Sequence, residues 1–146
     1  MYPFHVPLTH LPIGLLLANA LFSLLSVRRN DPTLDSAAFH CLWLGLIGVA
    51  GAVVTGMADA ARQLFDPVAP RDDALVWINA HGLMGLVLIV YYWQIWQLRR
   101  RNPTILLDPE TRNSYLTRLA FGVVLLVIDG WLGGHLVYTL RLGVSA

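Results

Sequence analysis

Four histidines stand in this chain one to an apolar stretch: His10, His40, His81 and His135. An imidazole in hydrocarbon is costly unless it bonds to something, so this distribution points to ligation or to buried hydrogen bonding. Neutral imidazole is a ligand for zinc, copper and iron, and a carboxylate such as Asp59 can complete such a set. His135 sits within the run GWLGGHLVY (130–138), directly after a GxxxG pair formed by Gly130 and Gly134. That spacing gives a helix a smooth face for close packing. A fifth histidine, His5, precedes the first apolar run; it is within reach of the same layer and reads as a solvated terminal residue.

Composition fixes the medium in which these residues work. The chain has 146 residues, 56% hydrophobic and 13% charged, with a mean hydropathy of +0.59. A soluble domain carries about 25% charged residues. Apolar periodicity and capping residues predict an all-α, integral-membrane, four-helix up-and-down bundle in one domain, residues 1–146. Its helices are expected at about 9–27, 36–61, 74–98 and 109–140. Thr9 is the expected first cap, with residues 1–8 an extended lead-in. The N-terminus lacks the basic region of a signal peptide, so the first apolar run is expected to remain as a helix. Gly48, Ala52 and Gly56 recur at spacing four and predict a close helix contact, with Gly51 off that face. Tyr91, Tyr92, Trp93 and Trp96 read as an interfacial aromatic belt. Asn19 reads as an interhelical hydrogen bonder, and Asp129, deep in its helix, requires a partner or a proton-transfer role.

Several classes of chemistry lack their residues. Cys41 is the single cysteine, which excludes a disulfide framework and covalent c-type haem attachment. No nucleophile–base pair, phosphate-binding glycine loop or HExxH motif appears, and a net charge of +1 offers no basic patch for nucleic acid.

Counting about 1.5 Å per helical residue places His10, His81 and His135 in one layer near one membrane face, with His40 near the other. In an up-and-down bundle the first and third helices are diagonal, so His10 and His81 are the expected axial pair of a b-type haem, with His135 in reserve. Arg62, Arg71 and Arg141 lie on the same side and are the candidates to pair with haem propionates. Gly82, Gly85, Gly130, Gly133 and Gly134 beside the histidines serve packing or clear room for a flat macrocycle. Two alternatives stay open: a non-haem metal site of His10, His81 and His135 with Asp59, and a cofactor-free structural subunit of a respiratory or photosynthetic complex.

THLPIGLLLANALFSLL (9–25), His81 opening the third helix, and GWLGGHLVY together resemble a bacterial membrane-protein family catalogued as domain of unknown function 2231. The resemblance covers nearly the whole chain. It implies a four-helix membrane domain, sometimes joined to Rieske-type iron–sulfur domains, and hence an electron-transfer or accessory subunit with a redox partner rather than a stand-alone enzyme. Members often carry an acidic residue where His135 stands and a His-Gly-Val-Gly-Val-like tail where this chain ends RLGVSA. The resemblance therefore supports His10 and His81 more than His135.

All ten basic residues are arginines. Arg28, Arg29, Arg99, Arg100, Arg101, Arg112 and Arg118 fall on one side of the predicted spans, and Arg62, Arg71 and Arg141 on the other. The positive-inside rule then places both termini on the periplasmic or outer side of a bacterial inner membrane. Reporter fusions at Asn102 are expected to read cytoplasmic; a periplasmic readout there overturns this orientation.

Overall fold

Four long helices, α1 (His5–Arg29), α2 (Pro32–Leu64), α3 (Asp72–Arg101) and α4 (Pro109–Gly134), make up the computed structural model. A short π-helix, His135–Thr139, continues α4. The structure describes residues 5–64 and 72–142, with the side chains of 62–64 and 72–73 left aside. Among the described residues there is no strand. Each helix is long and apolar enough to cross a membrane, with mean hydropathy between 1.7 and 2.0 over its best window. Each packs on its sequence neighbours and α4 closes back on α1, which leaves α1 and α3 diagonal.

The first three helices run further at both ends than the expected 9–27, 36–61 and 74–98. The fourth, expected over 109–140, is α-helical only to Gly134 before the π-helix takes over. Pro7 is accommodated where helix α1 starts, at His5 rather than at Thr9. Thr9 instead bonds within the helix, its Oγ1 donating to Val6 O. The α1–α2 connection is tight: Asn30 takes a left-handed φ of 51°, a conformation that asparagine tolerates well, and Asp31 accepts from the Thr33 N–H to cap α2. Asp31 lies in this loop, and those hydrogen bonds from Thr33 hold its carboxyl below the usual range. At the other turn Asp108 caps α4 through the Glu110 N–H, with Pro109 in the first turn. That bond holds the Asp108 carboxyl below its ordinary range as well.

The outside is apolar and part of the inside is polar, the reverse of a soluble bundle. Leu11, Ile47, Val54, Val76, Leu83 and Val127 are each about 60% exposed or more, whereas Asn19, Ser23, Ser26 and Arg99 are buried. An exposed apolar surface of this extent is a lipid-facing surface. Inside, the core is layered. His5, His81 and Asp129 form a polar layer near the end where the described chain starts and finishes. Leu16, Leu42, Leu46, Val49, Leu88 and Leu126 fill the middle. Asn19, Ser23, Tyr92 and Tyr115 follow, and Arg99 pairs with Asp35 at the far end while also donating to Pro103 O. Tyr92 thus belongs to the core at 1% exposure, while Trp93 faces outward as expected of a belt. Trp96 takes the Arg100 guanidinium over its ring at 4.7 Å.

The small-residue face of α2 does the work predicted for it. A Cβ on Gly48 would lie 3.0 Å from Pro12 Cβ, one on Gly45 would lie 2.6 Å from Leu16 Cδ2, and Ala52 is buried. Pro12, Leu16 and His5 of α1 rest on this strip, so the two backbones approach where larger side chains would hold them apart. A Cβ on Gly51 meets nothing within 4 Å. Gly48→Leu is therefore expected to destabilise the protein by about 1–3 kcal/mol, read as a lower midpoint of detergent unfolding, with Gly51→Leu close to wild type.

Candidate functional site

The titratable layer is built by two helix pairs. On α1, His5 lies in the groove opened by Gly56, where a Cβ would stand 3.0 Å from its Cε1. Its Nδ1 lies 2.7 Å from Ala52 O, and its backbone N–H donates to Asp59 Oδ2 at 3.2 Å. On α3, His81 places Nδ1 2.7 Å from Asp129 Oδ1 of α4, and its ring lies against Gly133, where a Cβ would stand 3.3 Å from Cε1. The two imidazoles then meet across the bundle, Nε2 to Nε2 at 3.4 Å, with centroids 5.7 Å apart and planes inclined at 67°.

Proton inventory determines what this contact means. A carbonyl oxygen only accepts, so Nδ1 of His5 carries a hydrogen and donates to Ala52 O. An ionised carboxylate likewise only accepts, so Nδ1 of His81 donates to Asp129. With both Nδ1 atoms given to these acceptors, the two Nε2 atoms are left as acceptors 3.4 Å apart. Two such acceptors repel unless an electrophile, a proton or a metal ion, stands between them. A histidine that gives its second N–H to a carbonyl or carboxylate is also the usual arrangement of a metal ligand, because the partner fixes tautomer and ring orientation.

The structure regroups the residues singled out in the sequence. His81 is in the site. His10 is not: it is exposed, and its Nδ1 bonds to Val6 O one turn back in its own helix. Helix α1 starts at residue 5, and a five-residue step turns about 140° around a helix, so only one of His5 and His10 can face inward. His135 is also elsewhere. It packs against Trp77 at 4.3 Å and Trp131 at 5.8 Å in an aromatic cluster toward the chain end. His40 is exposed and bonds to Ser36 O, as its isolation suggested. Asp59 reaches the site through the backbone of His5. Arg141 is exposed beyond the π-helix with a left-handed φ of 55°. Arg71 and the side chain of Arg62 lie outside the described residues. Reading His5 as a solvated terminal residue is corrected by its half-buried position between α2 and His81. Asp129 has the partner its depth required, and Asn19 donates to Ala38 O across the α1–α2 contact. Among the described residues no three of His, Cys, Asp and Glu converge as a ligand set.

Fold and site define an integral-membrane four-helix bundle with a paired-histidine centre near one end. Compared with known families, the whole chain, residues 1–146, matches the model described as "Predicted membrane protein (DUF2231)". The chain belongs to that family, whose function is unknown. No curated protein and no solved structure matches it.

Asp129→Leu leaves the His81 N–H without its acceptor and is expected to cost about 1–3 kcal/mol. Asp129→Asn keeps an acceptor oxygen and should lose less. Detergent-unfolding midpoints of the two variants and the wild type check the order.

Proposed function

We propose that this protein is a membrane metal-binding subunit whose ion is held between Nε2 of His5 and Nε2 of His81, oriented by Ala52 O and Asp129. The observation that carries it is the approach of the two Nε2 atoms to 3.4 Å while each ring's Nδ1 is held by an acceptor on a neighbouring helix. Two nitrogens bound to one tetrahedral ion at about 2.0–2.1 Å stand about 3.3–3.4 Å apart. An N–H···N bond at the same separation is long, since good N–H donors approach their acceptors to about 2.7–3.2 Å. The spacing thus favours an ion over a shared proton. Two protein ligands leave the remaining coordination positions to water or an incoming group, more than the single open position of a three-ligand catalytic zinc. With iron or copper in place the subunit would carry electrons, in keeping with the role the family resemblance implies, and a redox partner would dock at that end. The arginine asymmetry supports a bacterial inner membrane with this end on the periplasmic side.

Haem b, the occupant expected from the sequence, fits this packing poorly. Axial nitrogens on opposite faces of a macrocycle stand about 4 Å apart at the same bond length, with the plane between them. Here the rings touch directly, and the seam into which a macrocycle would extend is filled. A Cβ on Gly85, one turn along α3 from His81, would lie 3.1 Å from Val53 Cγ2 of α2.

Elemental analysis and absorption spectra of the detergent-purified protein, oxidised and dithionite-reduced, test the proposal. One equivalent of zinc, copper or iron is expected in the wild type, lost in His5→Ala and His81→Ala and kept in His10→Ala and His40→Ala. Asp129→Asn should weaken binding about 10–100-fold, the usual effect of removing an outer partner. A Soret band abolished by the same substitutions would replace the ion with haem. A metal-free wild type after growth with added metals would overturn the proposal in favour of a shared proton.

A further inference from the structure

The outer surface of α3 carries a shallow groove of about 300 Å³, lined by Leu86, Val87, Val90, Tyr91 and Gln94. It follows the helix for about 12 Å, at 1.5 Å per residue, and its polarity changes along the way. Leu86, Val87 and Val90, all exposed, form an apolar end toward the middle of the span. Tyr91 and the Gln94 amide form the other end, nearer Arg99. Arg118 of α4 stands beside that polar end. The Tyr91 hydroxyl donates to Arg118 O at 2.8 Å, and the guanidinium is near enough for its charge to act on the phenol. We infer that this groove binds an anionic phospholipid, with one acyl chain along Leu86, Val87 and Val90 and the phosphate at Arg118 and Gln94.

A plain leucine and valine face would meet the bilayer without selecting any lipid. Arg118 is what makes this one selective. It is exposed and directly precedes the apolar run LAFGVVLLVI (119–128), so it lies where hydrocarbon gives way to headgroups. A charge at that depth needs a counter-ion, and the protein supplies none. The positions three and four residues away along α4 are Ser114, Tyr115, Phe121 and Gly122, none of them acidic. Among the described residues no carboxylate stands within ion-pair distance of Arg118. Its neighbours on the end of α3 are already engaged: Arg99 has Asp35, and Arg100 lies over Trp96. A guanidinium pairs with phosphate through two parallel N–H bonds, and the exposed Gln94 amide can donate to a phosphate or ester oxygen beside it. A net negative lipid gains the full attraction of the arginine, whereas the ammonium of a zwitterionic headgroup offsets part of it. A soluble phosphate would use only the polar end of the groove and a neutral apolar molecule only the other. A phospholipid uses both.

Native mass spectrometry of the full-length, delipidated protein in neutral detergent tests this, with phosphatidylglycerol and phosphatidylethanolamine of the same acyl chains as probes. The wild type is expected to hold phosphatidylglycerol about fivefold more tightly than phosphatidylethanolamine, the effect of one arginine near an anionic lipid surface. Arg118→Gln should abolish that preference and leave phosphatidylethanolamine binding as it was. Val90→Trp, which fills the groove from an exposed position, should weaken binding of both lipids. Glycerol 3-phosphate, a headgroup without a tail, should displace neither. Equal affinity for the two lipids in the wild type overturns the inference, and that readout requires no variant to fold. So does a preference kept in Arg118→Gln, or undiminished binding in Val90→Trp. Displacement by glycerol 3-phosphate overturns it in favour of a soluble phosphate.

Discussion

In the hydrocarbon of a bilayer a polar side chain can bond only to protein or to what protein encloses. That constraint arranges this bundle more than any apolar contact does, because lipid is as good a surrounding for leucine as another leucine is. His5, His81, Asp129, Asn19, Arg99 and Asp35 all turn inward and meet partners on other helices. Many leucines and valines are left on the outside. The register between helices is fixed accordingly: shifting α3 by one turn would part His81 from His5 and Arg99 from Asp35. A buried ion pair stabilises little against an apolar replacement, but losing one partner is costly, so Arg99–Asp35 serves alignment more than strength.

The close approach of α1 and α2 is what brings His5 into this scheme. Without side chains at Gly45, Gly48 and Gly56, α1 settles low enough for the imidazole to reach a main-chain carbonyl of α2. Helix carbonyls are normally occupied by their own ladder. Ala52 O can still accept a second bond because a carbonyl has two lone pairs. Packing and site chemistry are therefore the same contact seen from two sides.

Much of the fold was legible in the sequence. The four spans, the Gly48–Ala52–Gly56 face, the hydrogen-bonding role of Asn19 and the need of Asp129 for a partner all follow from composition and spacing. The choice among histidines did not. Depth alone makes His10 and His81 equivalent, but the inward stripe of α1 is Pro12, Leu16, Asn19 and Ser23, which His10 does not share. Pro7 so close to the terminus suggested a helix start at Thr9 that would leave His5 out. With the start at His5, the inward histidine is the one nearer the terminus. His135 escaped because it lies on the face of α4 that carries Trp131, four residues back, and meets Trp77 of α3 there rather than His81. The Asp35–Arg99 pair joins residues 64 positions apart and has no local signature.

Each imidazole is held by the neighbour of its own hairpin, His5 by α2 and His81 by α4, and only the Nε2 contact crosses from one hairpin to the other. The centre is thus two finished halves joined at a seam. During biosynthesis the first hairpin can orient His5 before the second has been made, and the second can orient His81 without the first. Two separately expressed fragments, broken between Leu64 and Asp72, would each bring a ready ligand to their reunion, with neither ring having to search for its orientation.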